Sequence, residues 1–160
     1  MRNFYGRWTS VLASTSTPLS DLRDHPIILL GGYNNPWTMR LLRPTRFYFS
    51  PEPSEGIIDR DHPDHQWIRD KSQPYASTDD YGLIARFNDG TTGSVVTVLA
   101  GLGRNGTEAA AQFATSSQYM QLIKARFKEN PNRPNIEVVI KVSVVDGRTG
   151  SPSIEDAFLW

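Results

Sequence analysis

The chain has 160 residues with 17 Lys and Arg against 17 Asp and Glu, so no net field draws it to phosphate backbones or anionic lipids, and generic nucleic-acid binding is not expected. It contains no cysteine, which excludes a disulfide framework, a thiolate nucleophile and a cysteine-based zinc site. Its apolar runs, such as Ile27 to Leu30, fall short of the roughly 18 residues a spanning helix needs, and Met1 to Tyr5 do not read as a secretory signal, so the expectation for a complete chain is a soluble cytoplasmic protein.

In chain order, residues 9–13 read as a short strand, followed by the hydroxyl-rich Ser14, Thr15, Ser16 and Thr17 and a brief helix over residues 18–24 with Pro18 in its first position. Residues 26–30 are apolar without alternation, the pattern of a strand covered on both faces in a parallel sheet. The turn-rich loop from Gly31 to Thr38 follows, in which Asn35 caps a short helix that opens on Pro36 and is stopped by Pro44. Residues 46–50 and 56–59 are two more short strands, and residues 60–79 are polar and irregular. Residues 81–87 and 94–100 form an antiparallel hairpin. A helix over residues 107–128, broken near Ser116 and Ser117, turns Ala109, Phe113, Met120, Ile123 and Phe127 toward the core, and residues 136–145 form the last strong strand before an Asp146-Gly147 turn. The sum is a single α/β domain over residues 1–160, with a mixed, mostly parallel sheet, flanking helices, one antiparallel hairpin and at least one right-handed βαβ unit.

Three strand-to-helix loops carry the candidate chemistry. Gly101, Gly103 and Gly106 have the G-x-G-x-x-G spacing between a strand and a helix, where glycines admit a phosphate and free N–H groups bind it. The match to a dinucleotide site is incomplete. The preceding strand belongs to a hairpin, and the rest of the chain is too short for a two-half nucleotide fold. The acid expected about 20 positions on is also poorly matched, because Glu129 falls outside a strand end and Asp146 comes late. The loop therefore reads either as a tight turn with glycine in left-handed positions or as an anion cradle with Arg104, Asn105 and Thr107. Gly31, Gly32, Asn34, Asn35 and Thr38 make the second candidate, offering both donors and acceptors, with Trp37 beside them as a core residue. Ser14 to Thr17 make the third. Strand-to-helix loops of parallel strands gather at one sheet edge, so the three are expected to face one crevice. Arg40, Arg43, Arg46 and Arg104 are the cations nearest to it.

His62 and His65, with Asp59 and Asp61 nearby, have metal-ligand residue types, but Pro63 prevents a helix from placing both imidazoles on one face, so no metal is expected there and no cofactor elsewhere. Asn105 to Thr107 also match the N-glycosylation pattern. No G-x-S-x-G, H-E-x-x-H or phosphate-loop signature is present.

Residues 21–38, which include Gly31, Gly32, Asn34, Asn35, Pro36, Trp37 and Thr38, together with residues 80–84 and 100–110, resemble C-terminal segments of uncharacterised acidobacterial proteins. The resemblance spans most of the chain from Val11 onward. In those proteins such segments follow DNA-binding or membrane-associated regions, which implies a sensory or regulatory domain and assigns no catalytic residue. The leading expectation is a non-enzymatic module binding a small anionic ligand at the 31–38 and 101–107 loops. The alternatives are a nucleotide- or sugar-phosphate-directed transferase or hydrolase using Asp59 or Asp61, and a protein-interaction domain whose loops are purely structural.

Overall fold

The computed structural model describes residues 9–129 and 132–160; the side chains of Arg126, Phe127 and Glu129 lie outside the described set. Its strands are β1 (Ile27–Leu30), β2 (Phe47–Phe49), β3 (Ile57–Asp59), β4 (Gln66–Trp67), β5 (Asp80–Asp89), β6 (Ser94–Gly101), β7 (Ile136–Val142), β8 (Val144–Val145), β9 (Arg148–Thr149) and β10 (Ser153–Leu159). Its α-helices are α1 (Pro36–Leu41), α2 (Arg104–Thr115) and α3 (Ser117–Glu129), with 3₁₀ turns at Leu19–Leu22 and Tyr75–Ser77.

The hairpin of β5 and β6 sits at the centre, paired from Gly82 opposite Gly101 to Asp89 opposite Ser94. The Asp89 carboxylate accepts the Thr92 N–H at 2.7 Å, and Gly93 takes φ 68°, which closes the connection. β1 lies parallel on the other side of β6, while β7 is antiparallel to β5 and β10 antiparallel to β7, giving the order β1-β6-β5-β7-β10. The sheet is thus mostly antiparallel, with β1 and β6 as its parallel pair, which corrects the expectation of a mostly parallel sheet. The reason is topological. β6 and β7 run in the same direction and are joined by α2 and α3, as in a βαβ unit, but the hairpin places β5 between them. Burial on both faces, seen along Ile136 to Ile140, does not reveal strand direction.

Helices α2 and α3 cover one face of this sheet, where Ala109, Ala110, Phe113 and Ile123 pack on Ile84, Leu99, Val138 and Ile140. The opposite face carries the small antiparallel sheet β2-β3-β4 and α1. There Leu41, Leu42, Phe47, Phe49, Ile57 and Trp67 join Leu29, Leu83, Ala85, Val96 and Val98 in a second core. Hydrophobic side chains buried on both faces supply the main driving force for this layering.

Two sequence expectations fail near the start of the described chain. Residues 9–13 are not a strand: the Ala13 carbonyl accepts the Ser16 N–H at 3.1 Å and the Thr17 hydroxyl at 2.8 Å in a turn, and Val11 and Leu12 are exposed with no strand to pair with among the described residues. The helix expected over residues 18–24 is only the 3₁₀ turn at Leu19–Leu22, which buries Leu22. β1 is also not covered on both faces. Ile27 and Leu29 are buried, but Ile28 and Leu30 are 66% and 60% exposed, because β1 is an edge strand and α2 packs over β5, β6 and β7 instead.

Candidate functional site

Because β1 and β6 run parallel, the loops that follow them leave the sheet at the same edge. Gly31, at φ 94°, donates its N–H to the Leu99 carbonyl at 3.0 Å and turns the chain off β1. Gly32 lies so close to the Gly101 carbonyl that a side chain there would overlap it, so the two loops touch. Between them and α2 opens a groove of about 690 Å³ lined by Leu30, Gly31, Tyr33, Asn34, Gly101, Leu102, Gly103, Arg104, Thr107, Glu108 and Ala111. Leu30 sits opposite Leu99 in register and shares its helix-side face, so the groove is the part of that face which α2 leaves open. The volume falls in the range of small-molecule sites.

The structure brings Gly31, Asn34, Gly101, Gly103, Arg104 and Thr107 to this groove. Gly32, Asn35, Thr38, Asn105 and Gly106 do not line it. Asn35 serves as the expected N-cap of α1: its Oδ1 accepts the Trp37 and Thr38 N–H groups at 3.1 and 3.3 Å, while its Nδ2 donates to the Leu30 carbonyl at 3.0 Å. Thr38 is fully buried and its hydroxyl has no hydrogen-bond partner among the described residues. Asn105 is likewise buried, with Nδ2 donating to the Gly147 carbonyl and Thr149 hydroxyl at 3.1 and 2.8 Å, so the sequon is closed to glycosylation in the folded chain. Ser14 to Thr17 lie outside the groove, in the turn that replaced the first expected strand.

The glycine spacing has a different origin from a left-handed turn. None of Gly101, Gly103 and Gly106 has positive φ. Helix α2 starts at Arg104 with Gly103 as its N-cap, so Gly106 lies inside the first turn rather than before the helix. A Cβ on Gly106 would overlap the Tyr81 carbonyl of β5, and one on Gly101 would overlap the Gly106 and Thr107 backbone of α2. The glycines let the helix sit directly on the strands, as the third glycine of a dinucleotide fingerprint does. The position of an incoming anion is filled from within. The carboxylate of Asp80, 1% exposed, accepts the N–H groups of Gly103 at 3.1 Å, Gly106 at 2.7 Å and Tyr81 at 2.9 Å. The Arg104 N–H donates to the Tyr75 hydroxyl at 2.6 Å. Asp80 therefore caps α2 in the place where the sequence pattern expects a phosphate.

Leu30, Tyr33, Leu102, Glu108 and Ala111 are groove residues that the sequence reading missed. The signal was present for two of them: Glu108 and Ala111 follow Arg104 and Thr107 at four-residue steps on one helix face. Asp80 carried no local signal, because its helix partners lie 23 and 26 positions away.

A second polar cluster lies in the layer on the other face. Arg46 grips Asp59 with Nε at 2.9 Å and a terminal nitrogen at 2.8 Å, stands 3.4 Å from Asp61 and 4.0 Å from Asp156, and lies over the rings of Phe47 and Phe158. Its guanidinium, through those hydrogen bonds, holds the Asp59 carboxyl below the usual carboxylate range. Asp59, His65 and Asp156 each offer a ligand atom within 4.8 Å of the others, but His62 is not among them, and Arg46 already supplies the positive charge that balances Asp59. Nearby, Glu137 of β7 is fully buried, accepts the Phe47 N–H of β2 at 3.1 Å, and leaves its other oxygen without a hydrogen-bond partner among the described residues. Burial pushes its carboxyl up to about 7, against the opposing pull of the neighbouring Thr45 hydroxyl, the Phe47 and Arg46 backbone and the Arg46 charge. Of the other arginines, Arg40 lies over the Trp37 ring, and the Arg43 carbonyl accepts a hydrogen bond from Arg60.

No helix among the described residues is long and apolar enough to cross a membrane. No family model, curated protein or solved structure matches the chain.

Proposed function

We propose that the protein is a non-enzymatic binding module that takes a small ligand in the groove between β1 and α2 and serves a sensory or regulatory role, as its resemblance to C-terminal regulatory segments implies. The observation that carries this reading is the meeting of the two candidate loops at one sheet edge, around a cavity of about 690 Å³. The transferase or hydrolase reading has less support, because Asp59 and Asp61 are engaged by Arg46 in the opposite layer and do not line the groove. Ala111→Trp tests the reading by placing an indole in the groove from the face of α2. A thermal-shift screen with metabolites and nucleotides is expected to give compounds that raise the melting temperature of the wild type and lose that effect in the variant. Compounds that stabilise both proteins equally, or none that stabilise the wild type, would contradict it.

A further inference from the structure

We infer that the groove between β1 and α2 selects an uncharged, largely apolar ligand with a hydrogen-bonding end, and not a phosphate or other anion. This rests on the reading of the groove as a ligand site and concerns the chemistry of its occupant.

An anion at this place would depend on the first N–H groups of α2, and those of Gly103, Arg104 and Gly106 are already donated, to Asp80, the Tyr75 hydroxyl and Asp80 respectively. Two side-chain donors nearby are likewise engaged within the chain, Arg104 through one of its five N–H groups. The Thr107 hydroxyl donates back to the Gly103 carbonyl at 3.1 Å, and a terminal nitrogen of Arg104 donates to the Gly147 carbonyl at 3.1 Å. The charged residues lining the groove are Arg104 and Glu108, one of each sign, and Asp80 lies behind the helix start. A phosphate there meets no net positive charge from the lining and loses the helix N–H groups that would replace its water.

The walls suit a different occupant. Leu30 on β1, Leu102 after β6 and Ala111 on α2 present hydrocarbon to the groove, and among the described residues Leu30 is 60% exposed at an edge that no other element covers. Covering such surface is favourable by about 25 cal/mol per Å². Asn34, exposed at the rim, makes no side-chain hydrogen bond with another described residue and can both donate and accept. Hydrocarbon walls with an amide at the mouth fit a neutral, largely apolar molecule with one hydrogen-bonding group, such as a heteroaromatic ring.

Indole, ADP and inorganic phosphate distinguish these chemistries when each is titrated into the ¹⁵N-labelled full chain and followed by amide shifts. The expected result is that indole moves the Leu30, Leu102 and Ala111 amides and binds at least about tenfold more tightly than ADP, with Asn34→Ala weakening it. ADP or phosphate binding in the groove more tightly than indole would overturn the ligand class while leaving the site in place. Failure of all three probes to move the groove amides would overturn both.

Discussion

Gly106 illustrates how a residue's role differs from the role its motif suggests. It is required not for a left-handed turn but because the Tyr81 carbonyl occupies the space of a side chain. Gly106→Ala forces backbone against backbone, with an expected loss of about 1–3 kcal/mol, seen as a fall in melting temperature of some 2–4 °C per kcal/mol. Gly103→Ala meets the Tyr75 ring and hydroxyl and the Asp80 carboxylate, and since three N–H groups hold that carboxylate the substitution should also weaken the cap of α2. Equal stability of the Gly106→Ala variant and the wild type would contradict this close packing.

Glu137 sets a pH dependence at the same scale. The folded chain holds its proton up to about pH 7, whereas the unfolded chain releases it near 4.5. The native state therefore binds more protons across that window, and stability is full below about pH 4.5 and falls as pH rises toward 7, by at most about 3 kcal/mol from this group. Glu137→Gln should flatten that part of the curve while keeping the bond from the Phe47 N–H. Denaturant unfolding between pH 4.5 and 7.5 measures it, and a wild-type stability that rises with pH where the variant's does not would contradict the assignment.

At the scale of elements, the sequence was most legible where local chemistry decides the structure. Asn35, Pro36 and Pro44 mark α1 at both ends, because capping and proline act within a few residues. Ser116 breaks α2 from α3 at the expected place, though α2 begins three residues before the expected start because its cap is the distant Asp80. β10 was not foreseen: Ser153, Glu155 and Asp156 interrupt its apolar pattern, as an edge strand allows. β1 shows the reverse, an apolar run of which only alternate residues are buried. Ile28→Thr should change stability by no more than about 0.5 kcal/mol, whereas Leu29→Ala should cost about 2–5 kcal/mol. Comparable losses from both would mean that Ile28 is covered in solution.

For the whole molecule, the α/β class and the meeting of the 31–38 and 101–107 loops could be read from residue patterns, since parallel strands place such loops at one edge. The predominance of antiparallel pairing could not, because the insertion of β5 between β6 and β7 is a property of the assembled sheet. Nor could the open strip of hydrocarbon along β1, which exists only because α2 covers the three strands beside it and stops short of the fourth. The most direct measurement of the central claim is an amide-shift map of the full chain with the compound that stabilises it most in the thermal-shift screen. Shifts concentrated at Gly31, Asn34, Leu102 and Ala111 are expected. Shifts centred instead on Asp59, His65 and Asp156 would contradict it and place the binding chemistry on the opposite face of the sheet.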